Sequence, residues 1–217
     1  MNLPINQIIL GDCLEVMKGM PDKSVDLVLT DPPYGINADK GSAARFGSST
    51  HLVKKYKGGW DSSTPPIEYF TEMLRVGKKV IIFGGQFFAD KLPVNGHWIV
   101  WDKKGDIQFD NPFGDCELAW TNIERKSVKK YTVIQQGFIT EDESPRLHAT
   151  QKPDVLMSKI LQDYSEENDL ILDPFAGSCT TLIACKQLNR RCICIEKEED
   201  YVKICHERLD KSTDNLF

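Results

Sequence analysis

The apolar positions of this chain fall into short runs separated by polar, helix-patterned stretches. Ile8-Ile9-Leu10 is a short buried run, Cys13 to Met20 fits a helix, and Val25 to Thr30 reads as a second strand. Val80 to Phe83 is a buried strand that ends at Gly84-Gly85. His97 to Trp101 and Leu118 to Asn122 are further strand candidates, richer in aromatics, for which an antiparallel arrangement is open. The last third is plainer. Val155-Leu156, Ile160 and Leu161 recur at helical spacing, and Leu170 to Leu172 is a strand that runs into Asp173-Pro174-Phe175-Ala176-Gly177-Ser178. Thr180 to Leu188 is a helix with Leu182, Ile183 and Cys185 on its apolar side. Cys192 to Ile195 is a strand ending at Glu196, and Glu199 to Leu209 is a helix.

This alternation implies parallel βαβ units with helices on both faces, a doubly wound, mostly parallel α/β sheet. Ligands of such sheets bind outside the carboxyl ends of the strands. Asp12, Asp31, Asp173 and Glu196 all fall there. Two stretches lack periodicity: an insertion near 35–66, rich in Gly, Ser and Lys, and residues 102–150, of mixed charge. Loops of that length in a compact domain usually carry function. No repeat or low-complexity tract interrupts the chain.

Composition narrows the class. A chain of 217 residues with 41% hydrophobic content suits one globular domain spanning 1–217. No apolar run approaches the ~20 residues of a membrane span, and no secretory signal is apparent, so a cytoplasmic protein without membrane contact is expected. The seven cysteines form no Cys-x-x-Cys pair and the four histidines add no ligand spacing, so no metal is expected. Reduced, mostly buried thiols are the expectation, with Cys192 and Cys194 facing one side of their strand. A net charge of −5 speaks mildly against a protein that coats nucleic acid, although a local basic face would suffice.

The chemistry concentrates in two loops. The loop after Leu172 has neither a Gly-x-Gly-x-x-Gly run nor Gly-Lys-Ser/Thr, so phosphate is not what it is built to hold. Glu196 follows Asp173 at close to the ~20-residue offset at which an acid accepts bonds from ribose hydroxyls. S-adenosylmethionine, with a ribose, an amine and no phosphate, suits this set better than NAD or ATP. The other loop is Asp31-Pro32-Pro33-Tyr34. Alone it could be a proline turn capping a strand. It could also hold a flat, amine-bearing ring, with prolines fixing φ and removing competing N–H donors.

Taken in order, these motifs resemble the DNA amino-methyltransferases that modify adenine N6 or cytosine N4. Gly11-Asp12-Cys13-Leu14-Glu15 and Val25 to Gly35 are similar to the family's first half. Thr150-Gln151-Lys152-Pro153, Leu170 to Thr181, Ile195-Glu196 and Tyr201-Val202 are similar to its second half. The catalytic motif precedes the cofactor loop, which resembles the circularly permuted β group of these Rossmann-like methyltransferases. A short target-recognition region would lie near 102–147. One position departs: Cys179 stands where the family usually has glycine. If that position needs φ > 0 the residue costs on the order of 1 kcal/mol, and if it is helical it costs nothing.

The resemblance implies roles. Asp12, with the Cys13 backbone beside it, would bond the cofactor's adenine amine. Lys152, with Thr150 nearby, would meet the methionine carboxylate. Asp173, Phe175, Gly177, Ser178 and Thr180 would shape the methionine and ribose end, Glu196 would take the ribose hydroxyls, and Asp31 would also reach the ammonium. Asp31 and the Pro32 carbonyl would accept the two N–H groups of the target amine, with Pro33 stiffening the turn and Tyr34 stacking on a flipped base. Arg45, Lys54, Lys55, Lys57, Arg125 and Lys126 are candidate contacts to double-stranded DNA, with Tyr56, Trp60 and Tyr131 interleaved as stacking candidates. Adenine N6 is the leading target because the motif begins with Asp. Cytosine N4 and a non-catalytic DNA-binding relative are the alternatives. A homodimer is open by resemblance only.

Overall fold

A computed structural model describes residues 3–37, 59–107, 114–125, 127–136, 139–140 and 151–214. Strands β1 (Gln7–Leu10), β2 (Val25–Thr30), β3 (Gly77–Phe83), β4 (Trp98–Asp102), β5 (Cys116–Thr121), β6 (Lys129–Thr132), β9 (Leu170–Asp173) and β10 (Arg191–Glu196) build one sheet. A two-residue pair, β7 (Gln135–Gln136) and β8 (Ile139–Thr140), stands apart from it. The order across the large sheet is β1-β10-β9-β2-β3-β5-β4-β6. The first five strands run parallel, β5 is antiparallel to both β3 and β4, and β6 is parallel to β4. The doubly wound, mostly parallel reading therefore holds, and the aromatic-rich pair is the antiparallel part.

Helices α1 (Cys13–Lys18), α2 (Ile67–Val76), α3 (Asp154–Tyr164), α4 (Thr180–Gln187) and α5 (Glu199–Asp214) cover the two faces. Side chains alternate along each strand, so each face receives its own core. Leu27, Leu29, Ile81, Phe83 and Ile171 pack against α3, α4 and Cys205 of α5. Val28, Val80, Ile82, Leu172 and Ile195 pack against Met17 of α1, Phe70 and Met73 of α2, and Phe88. Leu27, Val28 and Leu29 are fully buried, each worth roughly 1.5–3 kcal/mol. This apolar, two-sided burial is why β2 reads as an uninterrupted run.

Three expectations need correction. Helix α2 went unrecognised in the gap after residue 66, although Phe70, Met73 and Val76 form its buried stripe. Strand β6 lies inside the stretch read as irregular. Its burial is confined to Tyr131, too little alternation for a sequence signal. The thiols are not all free, because Cys179 and Cys205 pair as a disulfide with Cα atoms 5.4 Å apart. Cys192 and Cys194 do face one side, sulfur to sulfur at 3.5 Å.

Candidate functional site

The parallel order brings four acids to one edge. Asp31 follows β2, Asp173 ends β9, Glu196 ends β10, and Asp12 follows β1 by two residues. These strands are neighbours, so acids far apart in sequence surround one cavity of about 570 Å³, in the range of small-ligand sites. Asp12, Cys13, Asp31, Lys152, Asp173, Phe175, Gly177, Ser178, Thr180 and Glu196 all line it. Pro33 lines it too, whereas Pro32 and Tyr34 sit behind the surface. Thr150 lies outside the described residues. Trp60, Tyr69 and Tyr201 complete the wall. Acids for hydroxyls and amines, beside rings for a flat heterocycle, fit a nucleoside sulfonium such as S-adenosylmethionine.

Most of these acids are already held by their own chain. Asp173 accepts from Thr30 Oγ1 at 2.8 Å, Thr181 Oγ1 at 2.6 Å and the Phe175 amide at 3.2 Å. Burial still pushes its carboxyl up to about 6. Glu196 accepts from the amides of Gly177 and Glu198, each at 2.8 Å, which ties the cofactor loop to β10. Burial raises this carboxyl as well. Asp12 caps α1 through the Leu14 amide at 2.9 Å, and the Tyr69 hydroxyl sits 2.9–3.0 Å from both its oxygens. Burial pushes the Cys13 thiol far up, so it is a neutral wall rather than a nucleophile.

Arg208 braces the loop from α5. Its guanidinium donates to Ser178 O at 2.5 Å and is bidentate to Asp154 at 3.0 Å. Neither Arg208 nor Tyr69 was singled out from sequence. Tyr69 belongs to the unrecognised α2, and nothing local marks Arg208, whose partners lie on α3 and the loop.

The catalytic corner is ionic. Lys152 Nζ lies 2.5 Å from Asp31 Oδ2, 3.2 Å from Glu117 Oε2 and 3.3 Å from the Tyr34 hydroxyl. Tyr34 donates to Asp31 Oδ1. Burial raises the Asp31 carboxyl while Lys152 opposes the rise. Burial works against the Lys152 charge, yet Asp31 and Glu117 hold it above the ordinary lysine value. The Tyr34 ring stacks on Phe87 at 4.9 Å. Gly84, at φ +71°, admits that ring where a Cβ would collide with it. So Tyr34 is packed inward with one face taken. Lys152 meets Asp31 rather than standing free toward a carboxylate ligand. Glu117 was not foreseen, although an acid opening the apolar run Leu118-Ala119-Trp120 was a usable signal.

Cys179 has φ +62° and ψ +29° at the start of α4, so the position adopts the left-handed conformation that glycine favours. Among the DNA candidates, Arg45, Lys54, Lys55, Lys57 and Lys126 lie outside the described residues, as does Tyr56. Arg125 sits over the Tyr164 ring at 5.7 Å. Tyr131 is not available to a base. It is 7% exposed and donates to Asp163 at 2.5 Å. Trp60 lines the cavity, edge-on to Tyr201 at 6.5 Å. Lys103, Lys104, Lys129 and Lys130 each pair with a carboxylate. Among the described residues no cluster could hold a metal, and no helix is long and apolar enough to cross a membrane.

Residues 93–207 match the DNA methylase family of N6 and N4 methyltransferases. The type II methyltransferase M.HinfI of Haemophilus influenzae is 27% identical over 94% of this chain and 68% of its own length. The crystal structure of the M1.HpyAVI–SAM complex is 25% identical, with a TM-score of 0.57, covering 94% of this chain and 98% of that one. The cytosine-N4-specific PvuII DNA methyltransferase, at 16% identity, shares the fold with a TM-score of 0.60 over 95% of this chain and 89% of its own.

Proposed function

The chain belongs to the N6/N4 DNA methylase family, and we propose that it methylates the exocyclic amine of a flipped base in double-stranded DNA, with adenine N6 the target. Asp31-Pro32-Pro33-Tyr34 at the end of β2, opening onto a cavity walled by Asp12, Phe175 and Glu196, carries this reading. The Asp at the first motif position favours adenine. Cytosine N4 is the second reading, since the family whose model matches residues 93–207 takes in both chemistries. The motif order, catalytic before cofactor loop, supports a permuted domain.

S-adenosylmethionine supplies, when bound, an electrophilic methyl group on a sulfonium. Glu196 would hold its ribose hydroxyls and Asp12 its adenine amine, with Phe175 at the methionine and ribose end. An aromatic amine is a poor nucleophile because its lone pair is delocalised. Asp31 and the Pro32 carbonyl take its two N–H groups and turn the lone pair out of the ring plane. Positive charge develops on that nitrogen as the N–C bond forms and the S–C pair returns to sulfur. Asp31 stabilises the charge, and its raised carboxyl suits it to receive the departing proton.

Modification-sensitive sequencing of DNA from cells expressing the chain, beside an Asp31→Ala control, tests the reading. The expected outcome is one modified adenine context that disappears in the control. A modified cytosine would select the second reading, and unmodified DNA would refute both. Charge reversal at Lys54 and Lys55 should weaken DNA binding and leave cofactor binding intact. Unchanged DNA affinity would remove the 35–66 segment from the interface.

A further inference from the structure

The catalytic corner contains a second acid, Glu117, that methyl transfer does not use directly. Glu117 stands on β5, anchored by its pairing with Trp101 of β4. Its Oε1 accepts from Lys103 Nζ at 3.0 Å. Its Oε2 is shielded from solvent and shares the Lys152 ammonium with Asp31, at 3.2 Å against 2.5 Å to Asp31 Oδ2. The contact to Glu117 is the longer and weaker of the two that the ammonium makes. Glu117 is not among the described residues that wall the cavity.

The longer contact leaves room for a closer one during the reaction. Asp31 is occupied on both oxygens, by the Tyr34 hydroxyl on Oδ1 and by Lys152 on Oδ2 at 2.5 Å. Each oxygen keeps a second lone pair for an entering amine, but the carboxylate it would dock on is already neutralised by Lys152. An ammonium in contact with Asp31 also weakens it as a partner for positive charge on nitrogen. Expelling Lys152 would bury one acid alone and is unfavourable. Moving it toward a second acid is not, because Asp31 and Glu117 balance Lys152 and Lys103 throughout.

We propose that Glu117 is a positioning residue that receives the Lys152 ammonium when the target amine docks on Asp31. The lysine exchanges its bond to Asp31 Oδ2 for one to Glu117 Oε2, and Asp31 is released to hold the amine. This rests on the methyl-transfer reading above. It adds a two-position lysine to that site.

Glu117→Gln keeps the shape and removes the charge. The expected result is a kcat lowered 10- to 100-fold, with KM for DNA and Kd for S-adenosylmethionine within threefold of wild type. Glu117 raises the Asp31 carboxyl, so the acid limb of kcat should also move to lower pH in the variant. Glu117→Asp, which keeps the charge, should recover part of the rate. Unchanged kcat, or kcat and cofactor affinity falling together, would overturn the proposal while wild-type transfer upholds the function. A wild type without transfer overturns both. Should Glu117→Gln not fold, a structure of the wild type with S-adenosylhomocysteine and an oligonucleotide of the sequenced context decides. Nζ bonded to Glu117 supports the exchange, and Nζ still on Asp31 refutes it.

Discussion

The two ends of the cavity hold their carboxylates by different means. At the β9–β10 end, Asp173 and Glu196 are satisfied by neutral groups, the hydroxyls of Thr30 and Thr181 and the amides of Phe175, Gly177 and Glu198. At the β2 end, Asp31 is held by a buried ammonium and a phenol, with a second acid behind. Neutral donors fix a geometry without supplying charge, so the first end is a rigid frame. Ions are exchangeable partners, so the second end can change its bonding when substrate arrives. The difference matches a frame that shapes a pocket and a corner that handles developing charge.

The largest effect should separate these two ends. Asp31→Asn preserves shape but removes the charge opposite the amine, and kcat is expected to fall about 10³-fold. Cofactor Kd, measured by calorimetry, should change far less than kcat, because Asp173 and Glu196 are untouched even though Asp31 also lines the cavity. A parallel loss of cofactor binding would mean that Asp31 belongs to the frame instead.

Next comes the pH dependence of the frame. Asp173 is nearly buried, and its carboxyl is raised from 3.8 to about 6. The folded state therefore binds a proton more tightly than the unfolded chain between these values. Stability falls as pH rises through that window, by on the order of 3 kcal/mol, and the loss is complete above pH 6. Asp173→Asn has no such proton. Its urea unfolding energy relative to wild type should rise between pH 4 and pH 7, and parallel curves would show that Asp173 is not desolvated as described.

Glu196→Gln probes the same frame from β10. One of the two amides it accepts would face an amide donor, so the bond from Gly177 or Glu198 is lost. Hydrogen bonds to a charged group are worth roughly 1.5–3 kcal/mol, so cofactor Kd should rise about tenfold or more. kcat at saturating cofactor should hold. A kcat effect with unchanged Kd would place Glu196 in the chemistry and erase the contrast between the two ends.

Sequence disclosed the strand-end acids of both ends better than the side chains that hold them. Strands β2, β9 and β10 announced themselves because burial on both faces makes them continuous apolar runs, and the acids at their ends followed. Helix α2 was overlooked because it follows directly on the unpatterned stretch, and Tyr69 went with it. Arg208 and Glu117 were hidden for another reason. Each is defined by partners on remote elements, Asp154 and Ser178 for one, Lys152 and Lys103 for the other. Ion pairing between distant segments leaves no periodic trace in a chain.

The smallest expected effect is that of Cys179→Gly, where backbone strain rather than charge is at issue. Cys179 holds φ +62° in the cofactor loop and is fully buried. A non-glycine residue there costs on the order of 1 kcal/mol. Cys179→Gly removes that cost but also removes buried sulfur and the link to Cys205. In excess thiol the opposing changes should leave unfolding energy within about 1 kcal/mol of wild type. Cys179→Val cannot relax this way, because a β-branched side chain at positive φ is strained by up to about 3 kcal/mol. Urea titration of both variants gives the answer, and a valine variant as stable as wild type would place residue 179 in another conformation. In the glycine variant kcat should not move, since the loop frames the cofactor while Asp31 handles the charge.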